Sequence, residues 1–510
     1  MAAARATAGR TAVCWLRNDL RVADSATMDH VANTCYDAAV FVYCFHPRTY
    51  TESWMGLPRT SGHRARFLLD TLSDLRSALR GLGSDLVVRH GLPAEVIAGL
   101  VDELAADVVV YHQAVGSEEA DDEAALAAAL PDAVTVKSFW GRTLHHRDDL
   151  PFALADLPPT FTPFRKALER AHSVPREIIP RPTSLPPLPD AVEPGKLPSL
   201  TDLGLERPPA DSRAVHGFPG GESGAWARIA EWMWDGDALR RYKETRNGML
   251  GGEYSSKLSP WLALGCISPR QVASEVRRYE AERVANKSTY WLIFELLFAD
   301  YFTFYAARAG RSLFAARGPA DVSNAAWDGS DAAFAAWAAG TTGIPLVDAN
   351  MRELLATGYM SNRGRQIVAS VLTKNMRVDW RRGAAWFEAQ LIDHDVALNY
   401  GNWAYVAGVG ADPRPDRYFN VAKQAATYDP DGAYQATWLP PADRAAPSYP
   451  ATPIIDLAAT YPSARNHPAA RRSAPRKGRG RARGRYGRKL QKPNKRTVKR
   501  ATQRAAQLSD

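Results

Sequence analysis

Residues 151–220 carry 15 of the chain's 35 prolines. A proline has no amide hydrogen to give to a helix interior or a central strand, so so dense a stretch can be neither. It reads as a long connection draped over a surface, and it separates two domains in a chain of 510 residues, too long for one ordinary core. From residue 11 to about 150, short β-branched runs ("TAVCWL", "AAVFVYCF", "DLVVRH", "DVVVYH", "VTVKSF") alternate with helical segments such as "HRARFLLDTLSDLRSALRGLG". That alternation predicts a parallel α/β sheet. From about 221 to 440 amphipathic helical stretches succeed one another with no period of two, which predicts an all-α domain. The expected fold class is α/β plus all-α: a Rossmann-like domain over 11–150, a linker over 151–220, and a helical domain over 221–440.

Beyond 440 the chain turns Pro/Ala-rich and then strongly basic, and 441–510 lacks the apolar side chains needed to offset ordering entropy, so disorder is expected there. Residues 464–510 hold 17 Lys/Arg and a single acid, Asp510, a charge of +16; the remaining 47 basic and 54 acidic residues leave the body at −7. Contact of the body with nucleic acid must therefore be a local patch. Cys14, Cys35, Cys44 and Cys266 are too few and too scattered for a disulfide scaffold or a metal site, which fits a reducing compartment. No apolar run approaches the roughly 18–20 residues of a membrane span, so the chain reads as soluble and intracellular. The opening "MAAARATAGR" leaves an organellar address open beside cytoplasm and nucleus.

Three stretches bear chemistry. In "GGEYSSKLSPWLALG", Ser255, Ser256 and Ser259 precede an apolar helical run, with Ser259 suited to the N-cap and Pro260 to the first turn; the result is either an anion site or a capped helix with nothing bound. In "LIDHDVALNYGNWAYVAGVGADPRPDRYFN", Asp393 and Asp395 offer acceptors for a heterocycle or lie in a solvated loop, and too few hard ligands surround them for a metal. In "YWLIFELLFADYF", Trp291, Glu295, Phe298 and Phe302 fall on one helical face. A lone carboxylate among aromatics is expensive to bury, so Glu295 either lines a site or pairs with an arginine.

Together with "WLRNDLRVAD" (15–24), "RYKETRNGMLGGEYSSKLSPWLALGCISPR" (241–270), "TGIPLVDANMRELLATGYMSNRGRQIVASVL" (342–372) and "NYGNWAYVAGVGADPRPDRYFNVAKQA" (399–425), these stretches resemble the photolyase/cryptochrome family, most of all its cryptochrome DASH branch, from about residue 11 to 440. The resemblance implies a helical domain that holds FAD in a U-shaped conformation. It assigns Tyr242, Ser255, Ser256, Lys257, Leu258 and Ser259 to the FAD phosphates and sugars. Trp291, Arg365, Asp393, Asp395 and Asn399 then lie around the cofactor, Asn399 facing flavin N5. Trp403, Trp380 and Trp327 become an electron relay. The implied chemistry is blue-light-driven repair of cyclobutane pyrimidine dimers, preferentially in single-stranded DNA, with Glu295, Phe298, Asn362, Arg363, Gln366 and Tyr405 at the lesion. The alternative within the family is a blue-light photoreceptor that repairs little and acts through nucleic acid or signalling partners.

The chain departs from the family pattern in two places. Where the family reads "FELLWRDYF" this sequence has "FELLFADYF", so Phe298 offers less stacking area than tryptophan and Ala299 removes a positive charge. Ala114 stands where a glutamate contacts a folate, which leaves 5,10-methenyltetrahydrofolate as an antenna undecided, although "FWGRTLHHRDDLPF" (139–152) keeps the usual frame. The Arg/Gly-rich tail suits single-stranded DNA or RNA through phosphate neutralisation, or serves as a solvated or targeting extension.

Overall fold

A computed structural model describes residues 9–322, 327–414 and 417–460. Five parallel strands, β1 (Thr11–Leu16), β2 (Ala38–Phe45), β3 (Leu86–His90), β4 (Val108–His112) and β5 (Thr135–Phe139), form one sheet in the order β3-β2-β1-β4-β5. This is the doubly wound arrangement that the β-branched runs predict. Helices cover both faces, so the central strands are apolar throughout instead of alternating. Along β1 the period of two still sorts side chains: Val13 and Trp15 pack with Val40, Val42 and Ile97 in one core, whereas Ala12, Cys14 and Leu16 join a larger one. The larger core runs without a break into the helical half, and the two domains share it.

The proline-rich stretch lies back over the α/β domain. Pro187 O accepts the Ala39 amide at 3.0 Å and Pro194 O accepts the Val88 amide of edge strand β3 at 2.7 Å. A proline keeps its carbonyl while lacking the donor, so such a segment satisfies an open sheet edge without extending it. The linker is not structureless: Phe161–Arg170 is a helix with Phe161, Phe164 and Leu168 buried. That short helix went unrecognised because its three apolar contacts sit among prolines.

In the helical half the 23-residue helix Lys287–Ala309 starts at Asn286, whose side chain and that of Thr289 form a capping box. It packs against Val396–Ala407, which packs in turn on Trp380–Gln390. Ion pairs and backbone bonds tie the two halves: Arg270 to Asp24 at 2.7 Å, the Val22 amide to Glu222 at 3.0 Å, and the Leu20 amide to Leu264 O at 3.1 Å. The expectation of disorder from 441 fails for 441–460. There Tyr449 donates to Asp348 at 2.7 Å, the Ile454 amide to Thr342 O at 2.9 Å, and Asn375 to Thr460 at 3.2 Å. The basic run 464–510 lies outside the described residues. Cys14, Cys44 and Cys266 are buried and Cys35 exposed, none of them in a disulfide. Among the described residues no helix is long and apolar enough to cross a membrane.

Candidate active site

The loop before residue 260 is shaped by one buried arginine. Arg228 donates to the carbonyls of Gly252, Ser255 and Ser256 at 2.8, 3.2 and 2.9 Å. With those carbonyls turned inward, the Ser255–Lys257 turn is held by the protein itself; Lys257 holds φ at 54°, a left-handed value a lysine rarely adopts. The Lys257 ammonium is buried between the Tyr254 and Tyr359 rings, 4.1 and 4.6 Å from their centroids, and donates to the Tyr254 hydroxyl at 2.8 Å. Burial lowers this ammonium to about 8 and raises the neighbouring Glu353 carboxyl to about 7.

Ser259 is not the N-cap. The helix is Ser259–Ala263, Leu258 occupies the cap position, and the Ser259 hydroxyl donates to Asp393 at 2.6 Å. A carboxylate brought in from a distant loop wins over the local amides because a charge-assisted bond is the stronger one. Asp393 Oδ2 also takes Arg365 at 2.8 Å, which leaves Asp393 Oδ1 buried with no partner. Asn399 resembles it: Nδ2 is anchored on Ala384 O at 2.9 Å, and Oδ1 is buried and unpaired. Two orphaned acceptors on neighbouring elements call for a ligand with N–H or O–H groups, which a flavin with its ribityl chain supplies. Asp395 has another occupation: Oδ1 caps Val396–Ala407 through the Leu398 amide at 3.0 Å, and Oδ2 meets Arg142 of the α/β domain.

Glu295 is paired. Arg246 reaches its Oε1 at 2.6 Å and the Trp291 indole donates to the same oxygen at 3.0 Å, so the two residues share a face as the spacing requires. Burial still raises the carboxyl, with Arg246 and Trp291 pulling against it. The side chain remains 27% exposed, so the pair sits at an opening and not in a closed core. Tyr242 is buried beside Glu295 and Arg246, which act on its hydroxyl. Lys243 lies 4.8 Å above the Trp291 ring. Phe298 packs edge-on against Phe161 of the linker helix at 4.7 Å and against Phe302 at 5.0 Å. Tyr405 meets Phe302 at 6.3 Å and accepts from Arg417 at 3.2 Å. Arg363 binds Asn247 at 2.9 Å and lies 4.6 Å from the Tyr428 ring. Asn362 is exposed at the start of its helix, and Gln366 stands one turn on.

The three tryptophans are joined through shared neighbours. Trp403 is buried against Gly383, where a Cβ would overlap its ring, and Gly383 lies one turn from Trp380. Trp380 and Trp327 both donate to Ala316 O at 3.1 Å, so their indole nitrogens are no more than twice that distance apart. Trp380 is fully buried and Trp327 half-buried. Sequence reasoning missed Arg228, Arg246, Asn247 and Arg417. Nothing local marks any of them, since each finds its partner beyond its own helix or turn and three of the four belong to a residue type abundant throughout.

A parallel-sheet domain sharing its core with a helical body that presents these acceptors is the build of a photolyase-type flavoprotein. The family model described as DNA photolyase matches residues 12–187, and that described as the FAD binding domain of DNA photolyase matches 291–476. A Cryptochrome DASH from Gloeobacter violaceus is 54% identical over 432 residues, covering 84% of this chain and 86% of the relative. The crystal structure of a Synechocystis cryptochrome superposes with a TM-score of 0.85 at 41% identity, covering 91% of this chain and 99% of that one. An archaeal photolyase from Sulfolobus tokodaii, solved with two FAD molecules, gives 0.70 at 25% identity, covering 88% and 97%. The chain belongs to the photolyase/cryptochrome family, in its cryptochrome DASH branch, and FAD is the cofactor of its helical domain.

Proposed function

We propose that this protein repairs cyclobutane pyrimidine dimers under blue light and prefers them in single-stranded DNA. The observation that carries the reading is Glu295, a carboxyl raised by burial yet open to solvent, beside Arg246 and Trp291. With Oε1 held by Arg246 and Trp291, the other oxygen donates to a pyrimidine carbonyl when it carries a proton, and Arg246 offsets the negative charge that gathers there. FAD supplies the light-driven electron. Asp393 and Asn399, whose Oδ1 atoms are buried without a partner, would hold it together with Arg365 alongside the flavin ring, and the Ser255–Ser259 segment with Tyr242 and Lys257 would hold its phosphate and sugar side. Asn362, Arg363, Gln366, Phe298 and Tyr405 ring the lesion. Trp403, Trp380 and Trp327 return electrons from the surface.

A lesion must leave the base stack to reach this opening, which is cheapest from a single strand. Phe298 and Ala299 weaken the hold on the lesion itself, whereas the basic run 464–510 recruits single strands through their phosphates. The same two departures favour a second reading, a photoreceptor with little repair. Illuminating the reduced protein with dimer-containing oligonucleotides, single- and double-stranded, and following thymine recovery decides between them. Recovery that is faster on the single strand is expected. No recovery on either substrate leaves the photoreceptor.

A further inference from the structure

Beside the middle tryptophan stands a tyrosine with a proton acceptor of its own. Tyr400 lies one turn before Trp403 on the Val396–Ala407 helix, and its ring meets Trp380 edge to face at 6.3 Å. Its hydroxyl donates to Glu388 Oε2 at 2.7 Å, and both residues are buried. Glu388 Oε1 takes Arg59 Nε of the α/β domain at 3.1 Å, while Arg59 also holds Glu118 by two bonds of 2.7 and 3.0 Å. Among the described residues the three relay tryptophans have no such base. The N–H groups of Trp380 and Trp327 end on the Ala316 carbonyl, which accepts a hydrogen bond and cannot take up a proton, and the Trp403 N–H has no partner. A phenol gives up an electron readily when its proton can leave along an existing hydrogen bond, and a carboxylate is the acceptor for it.

We propose that Tyr400 is a proton-coupled electron donor to Trp380, with Glu388 as its base. The proposal rests on the relay reading, in which Trp380 becomes an indole radical cation after refilling Trp403. One electron passes from Tyr400 to that radical cation. The Tyr400 O–H bond breaks and its proton bonds to Glu388 Oε2. The products are neutral Trp380, a neutral tyrosyl radical and a neutral Glu388. The positive charge on the indole and the negative charge on the carboxylate cancel together, while Arg59 stays matched by Glu118. Removing the charge from Trp380 leaves nothing there to pull the electron back, so Tyr400 competes with the surface exit at Trp327 and lengthens the separated state.

The test is flash excitation of the FAD-loaded chain, with tryptophan and tyrosyl radicals followed by transient absorption and electron paramagnetic resonance. The tryptophan radical is expected to decay as a tyrosyl radical rises, and that rise to slow in heavy water. Tyr400→Phe loses the tyrosyl signal; so does Glu388→Gln, which keeps a hydrogen-bonding partner and cannot take the proton. The isotope effect is read on the unaltered protein, so a poorly folded variant does not shield the idea. A tryptophan radical with no tyrosyl radical after it, or a tyrosyl signal surviving Tyr400→Phe, overturns this proposal and leaves the relay standing. Absence of any tryptophan radical removes the relay and this step with it.

Discussion

Asp393 shows how much can hang on one oxygen: Oδ2 receives both Ser259 and Arg365 while Oδ1 is buried without a partner among the described residues. Asp393→Ala removes the carboxylate partner of a half-buried guanidinium that keeps its bond to Met360 O, a loss of about 1–3 kcal/mol. Thermal unfolding is expected to show it, together with weaker FAD retention after gel filtration. Trp380→Phe is expected to slow photoreduction and spare repair by chemically reduced protein; loss of both would contradict a relay role. The third residue-scale expectation concerns pH. Glu353 is raised from 4.5 to about 7, so between those values the folded state holds a proton that the unfolded chain has released, and stability falls as pH rises. Lys257 is lowered from 10.5 to about 8, so in that upper window stability recovers with pH. The melting temperature should dip near neutrality. Glu353→Gln should flatten the acid limb of the curve.

At the scale of elements, the site depends on how closely two helices approach. Gly383 lets the edge of the Trp403 ring close on the Trp380–Gln390 helix, and Gly383→Ala forces a methyl into that ring, an overpacking of about 1–3 kcal/mol. A lower melting point with slower photoreduction is expected; unchanged values would mean the helices have room to part. The stripe on Lys287–Ala309 was legible because helical periodicity survives in sequence, and the Trp291–Glu295 bond follows from it. The partner of Glu295 was not, because Arg246 meets it only through the fold. Ser259 misleads for the same reason: local capping rules pointed to an N-cap, and a distant carboxylate took the hydroxyl. The Phe161–Arg170 helix was hidden by prolines whose main signal is interruption.

For the whole molecule, the change from β-branched alternation to helical periodicity gave the two domains, while the common core between them had no sequence signature, since each half reads as complete. The charge division does have a consequence at this scale. Deleting 464–510 should lower the slope of log affinity against log salt for single-stranded DNA by about 0.7 for each phosphate the tail neutralises. An unchanged slope would mean that the −7 body alone sets the electrostatics. The loop that Arg228 pins from within bears on how the cofactor is taken up. An internal cation holds the backbone of residues 252–256, so this part of the site is braced from within the protein. Ordering entropy for this loop is met during folding, so little of it is left to be met at cofactor uptake.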